Sequence, residues 1–460
     1  MLNRPSHFFV LAVTTFSLSA SAQSHWVATW AASQQRPTPG FARPAARPAP
    51  APGTSTAAPA NAGVAPSANG APASLPPAAR PAPLPPRSFS NQTVRMFMRA
   101  SIGGSTVRVH LSNAFGAGPI FIGNAHIALR DKDSAINPGT DRALTFNGKP
   151  SVTIPLGAEM ISDPVSLNIA PLAELAVSVF VPNDTGAASV HSLGLHTTWV
   201  KSGDVTSAPD LADGEKLRSW YWVSGIDVQS AAPNSAAIVA FGDSITDGAT
   251  STPDTDGSWP SDLSRRLVAN PATANIAIVN EGISGNQVLN DGAGVSALAR
   301  FDRDVLAQPG VKWLMVLESI NDINIASRPP NPNFTPPPPA TVVPPLTAGD
   351  LIEGLKQMVL KAHDHGIKVI GCTLTPFGNA NEKAEAMRQA VNAFIRMPGS
   401  FDAVVDFDQV IRDPNDQRQF KAGYNNTDKL HPNDAGYKAM ADAVDLSLFT
   451  SSKVPAKKKK

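Results

Sequence analysis

From Ala236 onward, five short apolar runs alternate with stretches of helical periodicity, a pattern that constrains the fold more than any other feature of this chain. The runs fall at 237–241, 276–279, 313–317, 369–370 and 403–405. Strands that are apolar throughout are covered on both faces, and parallel neighbours need a crossover that a helix supplies. Between the third and fourth runs, 351–362 repeats its apolar residues at helical spacing, with Thr347 and Asp350 at capping-box spacing ahead of it. The expectation for 236–450 is therefore an α/β domain, an open parallel sheet wrapped by helices.

The chain before this domain has a different period. Thr93 to Met98 and Thr106 to Leu111 alternate polar and apolar residues, and Gly103-Gly104 between them reads as a two-residue hairpin turn. Shorter alternating runs follow at 151–154, 165–169 and 175–180, so 88–230 reads as an all-β, sandwich-like domain. Trp26-Val27-Ala28-Thr29-Trp30 alternates in the same way and assigns 23–35 to the first strand of that domain. The intervening 36–87 is almost pure Ala and Pro with Gly, Ser and Thr, a composition expected to stay extended and mobile. A second proline-rich stretch, 328–345, follows the third apolar run and is expected to stand over the end of the sheet.

Residues 1–22 read as a signal peptide. Arg4 precedes the short apolar core Phe8 to Val13, and Ala20-Ser21-Ala22 offers the small-x-small pattern of a cleavage site. Cleavage after Ala22 is expected, giving a secreted or periplasmic protein; N-terminal sequencing of exported material reports the point of cleavage. No later stretch reads as a transmembrane segment, and 451–460 is a basic tail ending in four lysines. A net charge of +1 in 460 residues gives no field that argues for a nucleic-acid partner. The single cysteine, Cys372, excludes an intrachain disulfide and reads as a buried strand residue. His110, His126, His191 and His196 have no metal-ligand spacing, and His363 with His365 falls in a last helical turn before Gly366. All six read as structural histidines.

Four polar signatures follow these strand-like runs in a fixed order: Gly242-Asp243-Ser244, Gly285 within 282–286, Asn321-Asp322, and Asp428-Lys429-Leu430-His431. Ligands of open α/β sheets bind outside the carboxyl ends of the strands, so these segments are expected to meet on one rim. They supply the groups that acyl transfer through a serine requires. Ser244 is the candidate nucleophile, His431 its base, and Asp428 the group that orients the base. The backbone amides of Ser244 and Gly285 and the side-chain amide of Asn321 are the candidate oxyanion donors. Each signature alone is weak, since Asp or Ser after a strand is often only a helix cap. The serine is not in a Gly-x-Ser-x-Gly elbow, which disfavours the α/β-hydrolase arrangement.

At these residues the chain resembles the SGNH hydrolases, or GDSL-type esterases. Phe241 to Gly248 matches their nucleophile block, Asn280 to Gln287 resembles the second block, and Asp428 to Pro432 the last. The β-rich segment before them resembles one in a secreted two-domain branch of that family. The resemblance implies a three-layer, flavodoxin-like α/β/α fold, an esterase with Ser244, His431 and Asp428 as catalytic residues, oxyanion donors at Ser244, Gly285 and Asn321, and neither cofactor nor metal. The family usually has glycine two places before its third-block asparagine, and here Ser319 stands there. The expected substrate is a small-molecule or carbohydrate ester. The rival readings are a carbohydrate-binding protein with an inactive hydrolase domain and a surface protein acting through its proline-rich segment.

Overall fold

The computed structural model describes residues 25–37, 86–230, 232, 234–328 and 345–450. The signal-peptide, basic-tail and most of the two proline-rich expectations lie outside those residues. Among the described residues no helix is long and apolar enough to cross a membrane.

The second half of the chain folds as its apolar runs require. Strands β1 (Ala236–Gly242), β2 (Ile276–Gly282), β3 (Val311–Leu317), β4 (Lys368–Cys372) and β5 (Ala403–Val405) form a parallel sheet in the order β2-β1-β3-β4-β5. The order reverses at β1, and the crevice between β1 and β3 is the topological switch point where such sheets bind ligands. Gly242 is in register with Gly282 and with Leu317, so the loops after β1, β2 and β3 leave the sheet at one level.

Among the described residues eight α-helices accompany the sheet: α1 (Ser244–Asp247), α2 (Trp259–Ala269), α3 (Ala297–Phe301), α4 (Ile320–Ala326), α5 (Ala348–Asp364), α6 (Glu382–Arg396), α7 (Phe407–Ile411) and α8 (Asp434–Asp442). Helices α2, α7 and α8 pack together, and α5 packs on α3 and α6, giving a layer on each face of the sheet. The capping box of α5 is present, with the Thr347 side chain accepting from the Asp350 N–H and the Asp350 side chain accepting in return. His365 caps that helix and Gly366 follows at φ 71°. Cys372 ends β4, fully buried, and burial pushes its thiol pKa up.

The first half is antiparallel. One sheet joins Trp26–Ala31, Val223–Gln229 and Gly104–Ser112, with Glu159–Ile161 and Val165–Ile169 pairing on Gly104–Ser112. The other runs Glu215–Leu217, Thr198–Ser202, Gln92–Arg99, Glu174–Val181, Asn124–Leu129, Arg142–Ala143. Val107, Val109 and Leu111 of the first sheet share a core with Val94, Met96 and Val177 of the second, which makes the pair a sandwich.

The expected hairpin about Gly103-Gly104 is not formed: Gln92–Arg99 and Gly104–Ser112 lie in opposite sheets and do not pair. Neither glycine has positive φ. What these positions require is close approach, since a Cβ on Gly103 would overlap the carbonyl oxygen of Ile169 and one on Gly104 would crowd that of Gln229. A glycine pair between alternating strands has two physical meanings, and here packing selected the crossing of two sheets over the tight turn.

Strand Trp26–Ala31 joins the two halves. Val27 and Trp30 belong to the sandwich core, while Ala28 and Ala31 belong to the core of the α/β domain. The Ser101 hydroxyl accepts the N–H of Ile278 at 3.0 Å, so β2, an edge strand of the parallel sheet, is covered by the sandwich.

Candidate active site

The rim at the ends of β1, β2 and β3 brings the four signatures together. Asp243 is the N-cap of α1, its Oδ1 accepting the Ile245 N–H at 2.9 Å, which places Ser244 at the first helical position. A residue there has no intrahelical acceptor for its N–H. The loop carrying Asp428 and His431 comes in beyond β5. Lys429 within it has φ 56°, and its carbonyl accepts the Gly378 N–H at 2.8 Å.

His431 Nε2 lies 2.8 Å from Ser244 Oγ, and His431 Nδ1 lies 2.6 Å from Asp428 Oδ2. A carboxylate only accepts, so Nδ1 carries the proton and Nε2 is free to accept from the hydroxyl. Asp428 Oδ1 accepts from the N–H groups of Leu430 and His431 at 3.0 and 3.1 Å. Partial burial alone would raise the Asp428 pKa, but the bond from His431 and those two N–H groups hold it below the ordinary value. The carboxylate therefore stays charged beside the imidazole.

The other candidate donors stand on two further loops of the rim. Gly285 takes φ 82°, a left-handed conformation in which a side chain is strained. The Asn321 amide gives one N–H to the carbonyl of Asn286 at 2.9 Å, which fixes its direction and leaves a second N–H. Ser319, standing where the family usually has glycine, does occupy the left-handed region at φ 110°. The serine adopts the conformation that glycine would supply, and Asn321 is still carried in the first turn of α4. Asp322 beside it accepts the Val288 N–H at 2.9 Å, tying α4 to the Gly285 loop.

Sequence reading missed what lies beneath this rim. Arg300, fully buried, donates to Asn286 Oδ1, Ser33 Oγ, Asp304 Oδ2 and the carbonyl oxygens of Glu281 and Gly242, at 2.6 to 3.1 Å. A lone arginine in a short helix carries no local signal for such a role. Asp243 and Glu318 are buried beside it, and neither Asp243 Oδ2 nor Glu318 Oε1 makes a hydrogen bond among the described residues. Burial raises the Asp243 pKa to about 7, with Asp322 and Asp247 adding to the rise and Ile245 and Arg300 opposing it.

This carboxyl has a sign consequence. Its pKa is raised on folding, so its contribution to stability is full below the ordinary carboxylate range and is lost as pH rises through about 7. Asp243→Asn keeps the acceptor for Ile245 and removes the titration. Between pH 5 and 8 the urea midpoint of the wild type is expected to fall relative to that of the variant. Parallel midpoints across that range would contradict the assignment.

The histidines expected to be structural each have a hydrogen-bond partner. His110 lies between Asp227 and Glu159, His126 bonds Asp141, His196 bonds Asp256, and His363 bonds Asp402. His365 bonds the Lys361 carbonyl.

An open parallel sheet, with a serine at a helix start linked through histidine to aspartate at its rim, defines a serine hydrolase. Residues 238–444 match the model of the GDSL-like Lipase/Acylhydrolase family, which marks this domain as a serine ester hydrolase. No curated protein matches the chain in sequence. Solved structures with similarity include a GDSL-like lipase from Bacteroides thetaiotaomicron, at 18% identity over 45% of this chain and 84% of that one, TM-score 0.31. An acetylxylan esterase from Geobacillus stearothermophilus matches at 22% identity, over 45% and 91%, TM-score 0.33.

Proposed function

We propose that the protein is a secreted or periplasmic esterase that cleaves carboxylic esters through an acyl-enzyme on Ser244. The observation that carries this reading is the unbroken line Ser244 Oγ, His431 Nε2, His431 Nδ1, Asp428 Oδ2, with links of 2.8 and 2.6 Å. His431 takes the hydroxyl proton as Ser244 Oγ attacks the ester carbonyl, and Asp428 stabilises the imidazolium. The carbonyl oxygen becomes an oxyanion facing the N–H groups of Ser244 and Gly285 and the free N–H of Asn321. Collapse expels the alcohol, which takes the proton from His431. Water, activated by the same imidazole, then releases the acid and regenerates Ser244. Export is supported by the signal-like pattern in residues 1–22.

For the substrate, the proposal is a short acyl group on a hydroxyl-rich alcohol such as a carbohydrate. The border of the catalytic loop supports this reading. Thr250 Oγ1 and Asn426 lie 2.7 Å apart and both donate to the carbonyl of Pro432, while exposed Asn379 donates to the carbonyl of Asp428. Polar groups beside the reacting centre suit a sugar better than a long alkyl chain. Acetate release from an O-acetylated oligosaccharide is therefore expected, with p-nitrophenyl acetate turned over faster than p-nitrophenyl laurate. A preference for laurate, with no acetate released from the oligosaccharide, would replace the substrate proposal with a lipase reading.

A further inference from the structure

A histidine from the sandwich reaches the catalytic rim from the other domain. His191, in the short strand Val190–His191, is buried with its ring stacked on Trp220 at 5.4 Å between centroids. Its Nδ1 lies 2.8 Å from the carbonyl oxygen of Ser33, and its Nε2 lies 3.1 Å from Asp247 Oδ1. A carbonyl and a carboxylate both accept, so the ring satisfies both only as the imidazolium. Burial by itself favours the neutral ring and Arg300 opposes the charge slightly. The charge and hydrogen bond of Asp247 outweigh both and raise the pKa.

Asp247 faces two ways. It ends α1, the helix that Ser244 begins. Its Oδ2 accepts both the backbone N–H of Ser284, at 2.9 Å, and the Ser284 hydroxyl, at 2.7 Å. Ser284 directly precedes Gly285, and the loop there is left-handed at φ 82° and outside any strand ladder or helix. Asp247 is itself buried, with a side chain 4% exposed, among Asp243, Arg300 and Tyr437. A carboxylate that buried needs a counter-charge to keep both oxygens as acceptors. His191 supplies it.

We propose that His191 is a positioning residue for the hydrolase: through Asp247 it anchors Ser284, and so aims the N–H of Gly285 at the oxyanion formed on Ser244. The sandwich is on this account part of the catalytic scaffold rather than an appended module. The inference rests on the esterase reading above, and the experiment separates the two.

The test measures kcat and KM for p-nitrophenyl acetate in full-length wild type, His191→Gln, Ser284→Ala, the double variant and His126→Gln, with melting curves confirming folded protein at the assay temperature. Ser284→Ala removes only the hydroxyl bond to Asp247. His126 makes a comparable pair with Asp141 at 2.9 Å inside the sandwich and serves as the control. Loss of loop positioning is expected to lower kcat of His191→Gln by about 30-fold and of Ser284→Ala by about 3-fold, with KM within about 2-fold. The double variant is expected to fall short of the product of the two single losses, because both act through Asp247. His126→Gln is expected to keep the wild-type kcat.

Wild-type kcat in His191→Gln, an equal loss in His126→Gln, or fully multiplicative losses would each overturn the proposal. If His191→Gln does not fold, Ser284→Ala decides alone: an unchanged kcat, or a loss confined to KM, overturns it. A wild type without Ser244-dependent turnover would instead defeat the esterase reading, which the ratios among variants do not address.

Discussion

Ser244→Ala is expected to lower kcat/KM for p-nitrophenyl acetate by at least about 10,000-fold, the scale on which removing a nucleophile silences a serine hydrolase. Among the described residues no other hydroxyl bonds the His431 ring. Cys372 is the chain's single thiol, and it is buried in β4 with its pKa pushed up by that burial. The substitution should leave the fold intact, because among the described residues the Ser244 side chain bonds only His431, and the N–H proposed to serve the oxyanion is backbone. His431→Ala is expected to cost about as much, and the double variant little more than either, since the two residues act as one unit. Steady-state rates with matched melting temperatures test this. A residual rate within tenfold of wild type would mean that hydrolysis proceeds at some other group.

Arg300→Met is the substitution expected to cost most stability. The guanidinium ties the ends of β1 and β2 to α3 and, through Ser33, to the sandwich. It also lies 3.1 Å from Asp304 and 3.5 Å from Glu318, both buried. Removing it takes one donor from each of those carbonyls and leaves a buried carboxylate with less of its counter-charge. Breaking a buried ion pair from one side costs about 3 to 5 kcal/mol. Methionine fills similar volume, so the loss reports charge and hydrogen bonding more than a cavity. Urea denaturation followed by tryptophan fluorescence, to which Trp259 and Trp313 of the α/β domain contribute, reads the change. A variant within about 1 kcal/mol of wild type would show that Arg303, 2.5 Å from Asp304, already suffices for that carboxylate.

The parallel sheet was legible because its signal is local: a wholly apolar run of five or so residues, repeated with helical spacing between, has few other solutions. The triad was legible for a related reason. Chemistry restricts which residue types can act, and the strand-end rule restricts where they stand, so order along the chain sufficed to connect Ser244 with His431 across 187 positions. The glycine pair at 103–104 shows the opposite case. Its two readings, turn or close crossing, differ only in what packs against the backbone, and the carbonyls of Ile169 and Gln229 are far away in sequence.

The sequence alone determined the α/β class, the β-rich character of the first half, and the residues proposed for catalysis, because periodicity and reactive side chains are properties of short segments. Only the tertiary structure decided that Trp26–Ala31 serves two cores at once, that Ser319 takes a glycine-like φ without displacing Asn321, and that His191 belongs with the catalytic rim. Those are matters of burial and charge pairing between distant segments. The energy of an ion such as His191 or Arg300 depends on what excludes water around it, and no single stretch of chain carries that information.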